Sequence, residues 1–366
     1  MMGMQSFFNK PAKWALSLVL VLLASGYTVV AQAASGNVCN SATNSANDKS
    51  CSFSSSGLQQ TFSSGSSLYG SLFGSGFGGG GNGGNFGATS SLGSTRFALN
   101  SGDTGKAAAG MGSNWNAWLS LSQSNVAYKF QPLQSSGRVN VTLVGIDYTF
   151  SNNATVGVAA AWDQSRIGTT FNGGNLNSNG NMVAPYLSWR FSQAWSLDAS
   201  LGLGRSNISQ VDNSAPGGIY GNYSDKRFLA SVALAYSKMV GKWMLTGRGA
   251  YLTSEDKYSQ FSLSSGTSVD AATSRSSQLR VGGQAMYNGG SLLPYAGVYY
   301  FNDVQRATQG AVGGANPAND RDGFQLQLGI QFAPKGQVYG GLLLATDVGR
   351  SQVKNDLFLG NIGIRF

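Results

Sequence analysis

The stretch NDLFLGNIGIRF, Asn355 to Phe366, alternates with a period of two. Phe358, Gly360, Ile362, Ile364 and Phe366 fall on one face of a strand, and Leu357, Leu359, Asn361, Gly363 and Arg365 on the other, because successive side chains point to opposite sides. A final strand of this kind presents a backbone edge that needs a partner. In lipid the partner has to come from the first strand of the same sheet, since unpaired N–H and C=O groups are not tolerated there. Whether lipid is the environment is decided by the other strands.

The same alternation recurs upstream. In Gly323 to Phe332, Phe324, Leu326, Leu328, Ile330 and Phe332 share one face while Gln325, Gln327 and Gln331 lie on the other. Val183, Pro185, Leu187, Trp189 and Phe191 form one such face, and Trp195, Leu197, Ala199, Leu201 and Leu203 the next. Segments of about ten residues, the length a tilted membrane-spanning strand needs, are read near 114–122, 139–150, 154–163, 181–191, 195–206, 224–239, 243–254, 276–287, 292–302, 322–332, 337–348 and 355–366. Short turns join alternate pairs, as at 151–153, 192–194 and 240–242, and longer polar loops join the rest. An even strand number with short turns at one rim and long loops at the other predicts an all-β fold, a twelve-stranded antiparallel transmembrane β-barrel over 114–366. Tyr148, Phe150, Trp189, Phe191, Trp195, Trp243, Tyr287, Phe332, Tyr339 and Phe366 gather beside the short turns as an interfacial girdle. A soluble sandwich is disfavoured, because the non-apolar faces are Gln, Ser, Gly, Asp and Arg with few long charged residues.

Composition agrees. The chain has 366 residues with 52 glycines and 11% charged residues, and no run of roughly 20 apolar residues that a polytopic helical membrane protein would repeat. Lys10 and Lys13, the apolar run Ala15 to Ala24 and the A-x-A of Ala31 to Ala33 read as a signal peptide over 1–33, cleaved between Ala33 and Ala34. Residues 34–113 form a Gly/Ser-rich segment whose run Leu68 to Phe86 offers little to bury, so flexibility is expected, with at most a short helix near Lys106 to Ala109. Cys39 and Cys51, the only cysteines, are candidates for a small disulfide in an exported chain. They make no zinc site, because there is no histidine to complete the shell.

The region from Trp115 onward resembles the β-domain of autotransporters, the type V secretion proteins of Gram-negative bacteria. The residues that carry the likeness are GIDYTFSNNATVGVAAAWDQS (Gly145 to Ser165), APYLSWRFSQAWSLDASLGLG (Ala184 to Gly204), LLPYAGVYYF (Leu292 to Phe301) and the closing NIGIRF. The last strand, through Phe358, Ile362, Ile364 and Phe366, is similar to the C-terminal sorting strand of outer-membrane proteins. The resemblance implies a barrel in the outer membrane that translocates or displays its own N-terminal segment. It also implies the export and barrel-assembly machineries, outer-membrane lipid and lipopolysaccharide as partners. Two alternatives stay open: a pore or structural barrel, and an adhesin acting through loops such as Thr253 to Arg275.

Catalysis has little to work with. Without histidine there is no Ser-His or Asp-His arrangement, so no enzyme and no cofactor are expected. By parity the inward ionisable residues are Asp147, Asp163, Asp198 and Asp225 with Arg190, Arg227, Arg248, Arg280 and Arg365, a near balance that predicts an ion-pair network in the lumen. If Phe191 faces Trp195, Arg190 is the diagonal neighbour of Asp198. Removing Lys10 and Lys13 from 24 basic residues leaves 22 against 15 acidic ones, scattered without a Lys/Arg run, which argues against nucleic acid.

Overall fold

The structure, a computed structural model, describes residues 85–91, 94–100 and 115–366 apart from 132–133, 151–153, 214–215, 306–319 and 333–337. The signal peptide, the two cysteines and the segment at 106–109 lie outside these. Twelve strands close into one antiparallel barrel: β3 (Trp115–Tyr128), β4 (Ser135–Thr149), β5 (Ala154–Thr169), β6 (Gly174–Trp189), β7 (Trp195–Asp212), β8 (Ile219–Val240), β9 (Trp243–Tyr258), β12 (Ala272–Tyr287), β13 (Leu292–Gln305), β14 (Asp322–Phe332), β15 (Val338–Val348) and β16 (Val353–Arg365). Two small hairpins are extra: β1 (Asn85–Ser91) with β2 (Ser94–Asn100), and β10 (Phe261–Ser262) with β11 (Ser268–Val269).

Closure occurs where the terminal stretch requires it. β16 pairs with β3 from Val353 opposite Tyr128 to Arg365 opposite Asn116, and the Phe366 amide donates to the Trp115 carbonyl at 3.2 Å. No edge is left open in the ring.

The wall is apolar outside and polar inside, the reverse of a water-soluble barrel. On β14, Phe324, Leu326 and Leu328 are 47%, 44% and 62% exposed, while Gln325, Gln327 and Gln331 are buried. On β16, Phe358, Ile362, Ile364 and Phe366 all face outward and exposed. A continuous belt of exposed Leu, Val, Phe and Trp would drive aggregation in water, and is what a lipid-facing band requires. Aromatic pairs sit at the short-turn rim: Trp115 on Tyr148, Trp195 on Tyr236 and Trp243 on Tyr287, with ring centroids 5.2, 5.1 and 5.2 Å apart. A second aromatic level is formed by Trp162, Tyr300, Phe324 and Phe358, all exposed. Each stands eight positions from the short-turn end of its segment, about 20 Å along the axis for a tilted strand, close to the height of a lipid band.

Tyr339 corrects the girdle expected from sequence: it is buried in the lumen. The parity of β15 runs the other way, with Val338, Leu342 and Leu344 outward and Leu343 fully buried. Tyr339 crosses the lumen-facing Gly363 directly opposite it, where an added Cβ would come within 2.2 Å of the ring. Three further pairs repeat the device: Trp118 over Gly145, Tyr186 over Gly157 and Tyr295 over Gly329. Glycine is needed at these positions because the aromatic ring occupies the space of its absent side chain.

At the short-turn rim the strand ends fall within two residues of the sequence reading, β6 stopping at Trp189 rather than 191; at the loop rim several differ by more. β5, β7, β9 and β13 begin at Ala154, Trp195, Trp243 and Leu292, where expected, but the loop-side ends run on, β3 to Tyr128, β5 to Thr169 and β7 to Asp212. β6 and β8 likewise start early, at Gly174 and Ile219. Above the lipid band the outward face has no need to be apolar, so the alternation that marks a strand fades while the backbone ladder continues. The Gly/Ser-rich segment also carries the β1–β2 hairpin, in register from Asn85 opposite Asn100 to Ser91 opposite Ser94. β1 approaches β6 and β7, and β2 approaches β15, β16 and β3, so the hairpin spans two separate arcs of the wall.

Candidate functional site: the lumen

Side chains fill the barrel in layers. Near the short turns, the Asn116 amide donates to Asp147 Oδ2 at 3.1 Å, and Tyr186 donates to the same oxygen at 2.6 Å. Trp118 Nε1 donates to the Tyr186 hydroxyl at 2.8 Å, and Tyr339 donates to Asn116 Oδ1 at 2.7 Å. This chain ties β15 to β3, β4 and β6, across the closing seam. It sits against an apolar lumen patch of Val139, Val141, Leu143, Met182 and Leu252, which the polar parity of the sequence did not foretell. A narrow barrel has to fill its own interior, and apolar side chains do so without needing partners.

Higher up, Arg227 on β8 is the hub. Its Nη1 lies 2.8 Å from Asp163 Oδ2 on β5, its Nε 3.1 Å from Asp225, and Asp256 stands 4.0 Å away. Nη2 donates to Ser206 at 2.9 Å. Asp225 in turn accepts from the Ser206 amide and hydroxyl, both at 2.7 Å. One cation among three carboxylates, all buried, has its donors satisfied and offsets part of a negative charge that could not stay solvated in a filled lumen. The path from β8 to β5 passes Gly180 on β6, where a Cβ would lie 2.3 Å from Asp163 Oδ1 and 2.8 Å from Arg227 Nη1.

Asp198 accepts from Ser188 at 2.7 Å and faces Arg248 at 3.5 Å. The β6–β7 register, Trp189 opposite Leu197, continues toward Phe191 and Trp195. Arg190 lies beyond the end of β6 at the short-turn rim and is half-buried, while the ion pair to Asp198 comes from Arg248. Arg365 closes β16, its side chain outside the described set.

Arg280 joins a cluster that the sequence reading passed over. Its Nε donates to Gln278 at 2.5 Å and its Nη1 to Gln325 at 3.1 Å. Gln278 donates to Asp303 at 2.7 Å, Gln325 to Asp347 at 2.9 Å, and Arg350 reaches Asp303 at 2.5 Å while lying over the Phe301 ring at 4.4 Å. Asp256, Asp303 and Arg350 were missed because they lie on the strand extensions or in the turn above the lipid band. Asp347 was missed through the same parity slip on β15 that misplaced Tyr339.

The autotransporter β-domain family model matches residues 116–342. The chain belongs to the autotransporter β-domain family. Its barrel is accordingly an outer-membrane domain of the kind that translocates a passenger segment. The match ends within β15, so the terminal strand β16 is assigned by the structure. Solved folds agree: the translocator domain of the autotransporter NalP from Neisseria meningitidis superposes with TM-score 0.60 at 15% identity, covering 71% of this chain and 91% of that one. The β-domain of the Bordetella autotransporter BrkA gives 0.59 at 14% identity, covering 69% and 100%. The transport unit of AIDA-I from Escherichia coli gives 0.54 at 12%, covering 69% and 90%. No curated protein matches the sequence. Among the described residues, no group of three or more His, Cys, Asp or Glu side chains is arranged to hold a metal.

Proposed function

We propose that this autotransporter carries residues 34–113, after cleavage between Ala33 and Ala34, as a non-enzymatic segment displayed through or retained within its barrel. The observation that supports this is the β1–β2 hairpin, which spans from the β6–β7 arc to the β15–β16–β3 arc immediately before the first barrel strand. A glycine and serine chain buries too little apolar surface to fold into a catalytic domain, and the segment is long enough to reach through a lumen. Lipopolysaccharide in the outer leaflet and the barrel-assembly machinery are the partners this reading needs. The Arg227, Arg248 and Arg280 networks serve to hold the wall rigid around the segment. The test is an epitope inserted after Ser54. Labelling on intact cells supports display; labelling only after permeabilisation places the segment on the periplasmic side and favours a pore or structural barrel instead.

A further inference from the structure

On the outer face of the barrel, Arg205 on β7 lies directly opposite Lys226 on β8, and Lys226 directly opposite Lys257 on β9. All three are exposed, and the row spans about 10 Å across three adjacent strands. Like charges set directly opposite in a ladder repel. Among the described residues no carboxylate pairs with Arg205 or Lys226, whereas Lys257 and Arg275 share Glu255 at 3.0 and 2.5 Å. Four cations against one carboxylate leave a local excess of positive charge. Its position is specific: Leu203 and Phe228, 66% and 39% exposed, stand two residues below Arg205 and Lys226 on the side of the apolar band. The row therefore sits where acyl chains give way to headgroups on the loop side.

We propose that this row is a binding site for a phosphorylated glycolipid headgroup of the outer leaflet, its phosphates bridging Arg205, Lys226 and Lys257 while its acyl chains lie on Leu203 and Phe228. Arginine and lysine side chains at this level supply charge-assisted hydrogen bonds to phosphate oxygens, and Glu255 holds Lys257 and, beside the row, Arg275 at 3.0 and 2.5 Å. The row adjoins the lipid-facing band through Leu203 and Phe228, so a headgroup whose acyl chains already lie on that band is the occupant rather than a free anion. The proposal rests on the outer-membrane reading, with loops outward.

The experiment compares the full chain with an R205Q/K226Q/K257Q variant, both refolded in phosphatidylcholine vesicles with and without lipopolysaccharide. Retained glycolipid is counted by native mass spectrometry. The wild type retains it, and the triple variant binds at least ~10-fold more weakly, while K238Q/K242Q at the short-turn rim binds as wild type. Equal retention by wild type and triple variant, both verified as folded by heat-dependent gel mobility, overturns the site. So does inorganic phosphate alone being retained by the wild type, and lost by the triple variant, to the same extent as the glycolipid. Labelling of a Ser265→Cys variant on intact cells separates the two claims: if Ser265→Cys is reached only after permeabilisation, the outward orientation itself fails.

Discussion

Arg227 on β8 and Asp163 on β5 meet at 2.8 Å over two intervening strands, and the gap between them is kept open by the hydrogen of Gly180. Replacing Arg227 with methionine removes the cation that Asp163 and Asp225 share. The loss should be about 3–5 kcal/mol, the range for stranding buried charge. Gly180→Ala should approach that loss although it removes no charge, because its Cβ falls on both partners. Urea unfolding followed by heat-dependent gel mobility measures both. A neutral Gly180→Ala would show that the pair does not hold the wall as described.

Tyr339 and Gly363 make a second steric test. Gly363→Ala should destabilise by about 1–3 kcal/mol through overpacking and slow assembly, because Tyr339 is anchored to Asn116 and cannot swing away. Adding Tyr339→Ser to Gly363→Ala should recover part of the assembly rate. Yield of heat-modifiable barrel in the outer membrane is the readout.

Neighbours on β15 separate the two faces. Leu344 is 57% exposed and Leu343 is fully buried. Leu344→Arg places a charge in the lipid band and should cost about 2–4 kcal/mol. Leu343→Ala should cost a similar amount, about 2–5 kcal/mol, through a lumen cavity. Changing vesicle lipid thickness should shift the first cost and leave the second in place, a contrast that a water-soluble barrel would not give.

The loop side has one pH-sensitive tie. Burial pushes the Asp320 carboxyl up, but the amides of Gln352, Ser351 and Val353 and the Ser351 hydroxyl outweigh it and hold the group below its ordinary range. A depressed folded-state value means the tie stabilises above the usual carboxylate pKa of about 4 and is lost as pH falls through the lower value. Hydrogen exchange at the Gln352 amide should therefore rise below pH ~4 beyond its intrinsic rate. Asp320→Asn should remove that pH dependence.

The fold was legible because lipid imposes an apolar outward face, which Phe324 to Phe332 show most plainly, although β4 turns Val139, Val141 and Leu143 inward. The loop-side extensions were illegible for the complementary reason: above the band nothing forces residues such as Asp256 and Asp303 into an apolar pattern. Inward parity placed Asp163, Asp198, Asp225, Arg227 and Arg248 on the lumen side. It could not say which strands would be brought together, so Arg227 reaching Asp163 over β6 and β7 had no sequence signal. Tyr339 shows how a single aromatic near a turn misleads when its glycine partner, Gly363, lies on another strand.

The barrel depends most on closure of its last strand, β16, on its first, β3. Ser120 on β3 and Asn361 on β16 face each other across that seam, within the usual span of a disulfide for directly opposed strand residues. In a chain with Cys39 and Cys51 replaced by serine, the pair Ser120→Cys and Asn361→Cys should form an intramolecular disulfide in isolated outer membranes, without loss of heat-dependent mobility. Absence of that cross-link in folded protein, or its appearance only in soluble periplasmic material, would contradict a closed twelve-stranded outer-membrane barrel.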